Sequence, residues 1–265
     1  MTIMTTYVQE DQTLYGEVQF VAKIKENSIV IPSSIEFNPN KLLVEKVEIK
    51  SHNSNEISLI VFLASIQSED QGRDIAEKVT LEVLSHIAFL FSIAFEKPQF
   101  CGGHFFAEHS NFDVFSKSIV EPKLSPPDDA AHHVLLLTTE HVEQLKTQLE
   151  KASSLERLYF LMFRSALQPK SPVEKFLHLY SILLMLNNDD QESIDAFIVK
   201  EQPSVVKVPP VASWRKEEDE TIYTCLRNSV IQYRKVVNND SFIAEIENHL
   251  PRLIELTKKA IELNT

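Results

Sequence analysis

The chain has 265 residues with 43% hydrophobic and 24% charged side chains, an ordinary globular composition, and a formal net charge of −12. Only four glycines occur, and Gly102-Gly103 is the one adjacent pair, which excludes the glycine-rich phosphate loops of dinucleotide-binding and P-loop proteins. Residues 1–137 hold 10 Lys+Arg against 19 Asp+Glu, a balance of −9, while residues 138–265 hold 16 against 19, a balance of −3; the first part therefore repels phosphate backbones, and any nucleic-acid contact is expected in the second.

In chain order, Met1 to Thr6 lacks the basic residues and apolar run of an export signal, and Cys101 and Cys225 have no metal-ligand spacing. A reducing, cytoplasmic compartment is the expectation. Val18, Phe20, Ala22 and Ile24 alternate at strand period, and 28–31, 42–50 and 57–64 are short β-branched runs. Ser68 and Gln71 have capping-box spacing ahead of a helix whose face carries Ala76, Val79, Val83, His86, Ile87, Leu90 and Ala94, with Pro98 as its stop. Its most apolar part, Val83 to Phe95, is too short to span a bilayer, so no membrane association is expected. Further strands are expected at 99–106, 113–120 and 133–137, and Leu124-Ser-Pro-Pro-Asp-Asp129 is the linker.

Beyond Thr138 the pattern is helical throughout. A long helix is expected over 140–167, bent at Ser153-Ser154, followed by one capped by Ser171 with Pro172 at its first position and Glu174 three residues after the cap. A shorter helix follows Asp189-Asp190. The proline-rich segment 202–211 is an extended connection, Glu217-Glu-Asp-Glu220 places negative charge at the next helix start, and a last helix covers 242–263 with Pro251 inside. The fold class is therefore α+β: an acidic domain of short strands with a covering helix over 1–137, and an all-α bundle of four or five helices over 138–265.

The segment Thr221 to Tyr233 concentrates the chemistry. Its buried stripe of Ile222, Leu226, Val230 and Tyr233, continuing to Val237, is interrupted by Arg227-Asn228. A structural arginine would pair here with Asp219, Glu220 or Asp240, with Tyr233 as a core aromatic. A phosphate-contacting arginine would be joined by Arg234, seven residues on along the same stripe, and by Lys235 beside it.

A bundle whose penultimate long helix carries Arg-Asn resembles the HEPN superfamily. The phrase Glu220-Thr-Ile-Tyr-Thr-Cys-Leu-Arg-Asn228 is most similar to HEPN-type proteins of the ApeA and MauJ (methylamine-utilisation) kind, and Glu174-Lys-Phe-Leu-His-Leu-Tyr180 is similar to their early bundle helix. The resemblance covers residues 140–265. It implies a homodimer with two Arg-x4–6-His motifs facing across a cleft, and in complete members a metal-independent ribonuclease of defence or toxin systems that needs no cofactor. Carried over, the catalytic set is Arg227 on the phosphate, Asn228 as its orienter and Tyr233 at the histidine position. A phenol of pKa about 10 replaces an imidazole of about 6.5 and is a poor base at neutral pH. The expectation is thus binding of RNA or a nucleotide through Arg227, Arg234 and Lys235, with weak or absent cleavage. The alternative is a non-catalytic dimeric interaction protein whose acidic first domain recruits a protein partner.

Two other constellations are weaker. Cys101-Gly-Gly-His104 offers a thiol and an imidazole, but positions three apart on a strand face opposite ways, so a bulged strand is expected. His132-His133, near Asp128-Asp129 and His141, lacks fixed ligand spacing and reads as a solvated loop, not a metal site. The phenylalanines at 89, 91, 95, 100, 105 and 106 are expected to be core.

Overall fold

The computed structural model describes residues 13–25, 28–31, 34–39, 41–53, 55–107, 113–117, 134–210, 219–232 and 239–265. The fold is α+β, with a strand-rich first region and a helical second one. It divides into two compact units, 1–152 and 153–265, so the division falls after the helix that begins at Thr139, not at 137/138. The proline-rich linker candidate lies outside the described residues, as do His132 and His133.

The first unit is built on an antiparallel sheet ordered β3 (Ile35–Phe37), β4 (Val44–Asn53), β5 (Glu56–Ile66), β1 (Leu14–Lys25), β7 (Gln99–Ala107) and β8 (Asp113–Lys117), with β6 (Ala94–Phe95) on the end of β1. β1 is central. Val18 is paired with Val61 on one side and Gly103 on the other, and Phe20 with Leu59. That register sends Val18, Phe20, Ala22, Leu59 and Val61 into one core, and a one-residue slip would expose them all. β4 begins at Val44 and not at Leu42: Leu43 adopts φ 69°, a left-handed turn conformation outside the extended region of a regular strand. A short parallel pair joins β2 (Ser28–Val30) to β9 (Val134–Leu136).

Helix α1 (Glu69–Phe91) starts where expected: the Ser68 side chain accepts from the Gln71 N–H. It ends earlier than Pro98, because Ser92 turns left-handed at φ 54° and Ala94–Phe95 then pairs with Ile24–Lys25 as β6. Ala94 is therefore a strand residue. Gly72 lets α1 close on the sheet: a Cβ there would stand 2.8 Å from Ile66 and Phe105 side-chain atoms. A Cβ at Gly16 would stand 2.5 Å from the same Phe105 ring, so two glycines make the slot that this phenylalanine fills. Phe89, Phe95 and Phe105 are core as expected, whereas Phe106 is 40% exposed and stacks on Tyr15.

The helix expected over 140–167 is two. α2 (Thr139–Lys151) is capped by Thr138, and its Leu145 and Leu149 join the core of the first unit. The chain breaks at Ala152, and Ser153 with Glu156 forms a new capping box for α3 (Ser154–Leu167). Each of these two side chains satisfies an otherwise unpaired N–H, which favours a fresh helix start over a bend.

The second unit contains α3, α4 (Pro172–Leu186), α5 (Gln191–Glu201), α6 (Ile222–Gln232) and α7 (Asp240–Asn264). Helix α4 packs most extensively on α7 and also against α3, α5 and α6. It is capped by Ser171 with Pro172 in its first turn, and α7 remains helical through Pro251. The connection over 202–211 is not wholly irregular: β10 (Lys207–Val208) pairs with β11 (Glu220–Thr221), which leads directly into α6.

Candidate functional site

Helix α6 presents Ile222, Leu226 and Val230 inward, as its apolar spacing requires. Between these positions it also buries Tyr223, Thr224 and Asn228, so the helix carries a polar seam into the bundle. Buried polar groups must find partners or carry a penalty of about 1–3 kcal/mol each. Here α4, α5 and β11 supply them.

The seam has two parts. In the first, Asp195 of α5 accepts from Thr221 Oγ1 at 2.6 Å and from Thr224 Oγ1 at 2.6 Å. A hydroxyl has one proton, so with Thr224 donating to the carboxylate, the 2.8 Å contact between Tyr180 and Thr224 runs from the phenol to the threonine oxygen. Burial pushes the Tyr180 phenol well above its ordinary range, which keeps it protonated and donating.

In the second part, Asn228 is only 5% exposed, and its amide orientation is fixed from both ends. Its Oδ1 accepts from Gln191 Nε2 at 3.1 Å and from Arg227 Nη1 at 3.0 Å, while its Nδ2 donates to Glu220 Oε2 at 3.0 Å. Reversing the amide would set its NH2 against two donors and its oxygen against a carboxylate. Glu220, expected at the solvated start of a helix, is instead a strand residue, 3% exposed. The β10–β11 pairing draws it inward.

Arg227 is half-buried, with its guanidinium 5.9 Å from the Tyr180 ring centroid and one N–H on Asn228. Among the described residues no carboxylate lies within ion-pair distance of it, so the surface pairing with Asp219, Glu220 or Asp240 is not what holds it. A guanidinium has five N–H donors in a planar fork, and an aromatic face plus one amide oxygen leaves most of them for an anion.

The structure thus brings Arg227 and Asn228 together and adds Tyr180, Gln191, Asp195, Glu220, Thr221 and Thr224 around them. Tyr233, Arg234 and Lys235 lie outside the described residues. His249 packs edge-on against Tyr223 at 5.5 Å, and His178 lies on α4. Sequence reasoning misses the surrounding network because Tyr180 fits the apolar face of α4 by spacing. Thr221 and Thr224, three residues apart within a buried stripe, are the available signal.

The thiol constellation does not assemble. Cys101 sits at a bulge, where Gln19 pairs with Gly102 and Phe20 with Phe100, and its Sγ donates to the Gln99 carbonyl at 3.6 Å. Burial pushes its pKa up, the wrong direction for a nucleophile. His104 pairs with Glu17 across the strands and lies against Phe106. His141 serves the α2 cap, its Nδ1 accepting from the Thr138 N–H at 3.3 Å.

No model of a known protein family, no curated protein and no solved structure matches the chain. Among the described residues no helix is long and apolar enough to cross a membrane.

Proposed function

We propose that the second unit is a HEPN-like bundle that binds RNA or a nucleotide through Arg227, with cleavage weak or absent, in a cytoplasmic homodimer. The observation that carries this reading is the guanidinium of Arg227, oriented by Asn228 and Tyr180, half-buried, and without a carboxylate at ion-pair distance among the described residues. An arginine kept only for stability would be expected to have its charge compensated. An arginine kept for phosphate needs its donors open and its geometry preset, since bidentate contact depends on the fork being in place.

Asn228 acts as the orienter. Arg234 and Lys235 would add positive charge along the backbone of the ligand, and Tyr233 would donate a hydrogen bond at most. The test is fluorescence anisotropy with labelled single-stranded RNA and with nucleotides, in EDTA. Binding that falls at least tenfold in Arg227→Ala supports the reading, and equal binding by wild type and variant sinks it. Cleavage gained by Tyr233→His would mark an architecturally complete but degenerate nuclease site.

A second reading, a non-catalytic interaction protein, is favoured by one observation. On α3, Leu155, Leu158 and Leu161 are exposed while Phe160 and Phe163 are buried. A helix apolar on both its buried and its exposed positions suits burial against another chain. Both readings include a dimer, so RNA or nucleotide binding separates them, and light scattering with Leu158→Glu tests the surface: loss of a dimer places the leucines in assembly, and an unchanged mass removes this observation.

A further inference from the structure

The first unit holds a polar cavity that the Arg227 reading does not use. It lies at the end of β1, β5 and β7, with a volume of about 150 Å³, and Val21, Lys23, Glu56, Glu96, Lys97 and Cys101 are among its walls. The strand register explains its place. Lys23 is directly opposite Glu56, and both point away from the core that Ala22 and Ile57 enter. The backbone N–H of Glu96 donates to the Lys23 carbonyl at 2.8 Å, which fixes the 96–97 segment over the end of β1, and Pro98 then restricts the chain.

The wall charges are unusual in being incompletely paired. Glu56 is 4% exposed, and its Oε2 accepts from Asn53 Nδ2 at 3.0 Å. Its Oε1 has Lys23 Nζ at 3.8 Å, too long for a hydrogen bond, and no other donor at bonding distance among the described residues. The Glu96 and Lys97 side chains are exposed and make no hydrogen bond or ion pair with the described residues. Burial pushes the Cys101 thiol up, so it remains neutral at physiological pH, and the residues around the cavity include two carboxylates and two ammonium groups.

We propose that this cavity binds a small zwitterion of the α-amino-acid class, its ammonium on Glu56 Oε1 and its carboxylate on Lys97. A simple anion would meet Glu56 and Glu96, and a simple cation would meet Lys23 and Lys97. A molecule carrying both charges meets a complement at each end. A cavity of this volume holds a ligand of roughly six to ten non-hydrogen atoms. That size fits the smaller amino acids, and none of the lining residues belongs to the Arg227 network, so the inference is independent of Arg227.

The test uses the full chain with Cys225→Ser, so that Cys101 is the one thiol. Each of the common L-α-amino acids is added at millimolar concentration while the unfolding temperature and the rate of Cys101 alkylation are followed. At least one small amino acid is expected to raise the unfolding temperature and slow alkylation. Its N-acetyl and carboxamide derivatives, each lacking one charge, are expected to do neither. Lys97→Ala, an exposed substitution that leaves the sheet intact, should weaken binding about tenfold, the value of one charge-assisted contact. The proposal is overturned if no amino acid changes either readout, if the blocked derivatives act equally well, or if Lys97→Ala binds as wild type.

Discussion

The Asn228 side chain donates to the Glu220 carboxylate at 3.0 Å across the start of α6, and both residues are buried. This bond decides which end of the amide faces Arg227. Because the carboxylate takes the NH2, the oxygen turns to the guanidinium and to Gln191.

Asn228→Asp should therefore cost about 1–3 kcal/mol, since it sets a second carboxylate against Glu220 inside the unit. Adding Glu220→Gln should recover part of that loss, because the new amide can donate to the introduced carboxylate. Urea denaturation of the two single variants and the double variant measures the coupling. Additive losses would show that the two side chains do not interact.

Within the other half of the seam, Thr224→Val should be more damaging than Tyr180→Phe. Losing the phenol removes one donor and leaves Thr224 on Asp195, at about 1 kcal/mol. Losing the threonine hydroxyl leaves the buried phenol without its acceptor, at about 1–3 kcal/mol. Equal shifts in the denaturation midpoint would contradict the proton assignment.

Phe105 and the two glycines around it make a steric prediction. Gly16→Ala and Gly72→Ala should each destabilise the first unit by about 1–3 kcal/mol, because the new methyl group meets the Phe105 ring. Combined with Phe105→Leu, either substitution should cost less than the sum of the separate losses. Thermal unfolding followed by circular dichroism would show this.

Alkaline pH should destabilise the protein. Burial raises the pKa values of Cys101, Cys225, Tyr180 and Tyr223 in the folded state. Each is neutral when protonated, so its contribution is complete below the unfolded pKa, about 8.5 for thiols and 10 for phenols, and is lost as pH rises through the folded value. Urea midpoints should fall progressively above about pH 8.5. Tyrosine ionisation followed by ultraviolet difference spectroscopy should show a fraction that titrates only on unfolding. A midpoint unchanged up to about pH 11 would rule this out.

Local chemistry was legible in the sequence. The alternation from Val18 to Ile24, the Ser68 cap, and the Ser171-Pro172 helix start are decided by residues within a few positions of one another, and each stands where its spacing puts it. The α+β class and the helical character of the second region follow from the same short-range patterns. The break between α2 and α3 is harder to read, because two serines fit a bend as readily as a cap. Only the Glu156 side chain reaching back to the Ser153 N–H, at 2.6 Å, decides for the cap.

What lay beyond sequence were the contacts between segments far apart in the chain. Arg227-Asn228 is visible as an interruption of an apolar stripe, but its setting depends on Tyr180, Gln191 and Glu220 arriving from three other elements. The β10–β11 pairing turns Glu220 from an apparent surface charge into the buried acceptor that orients Asn228. A side chain's type and period are written locally and so determine helix, strand and cap. Which polar groups meet inside the fold is set by packing between distant segments, and here that alone determined how Arg227 is held.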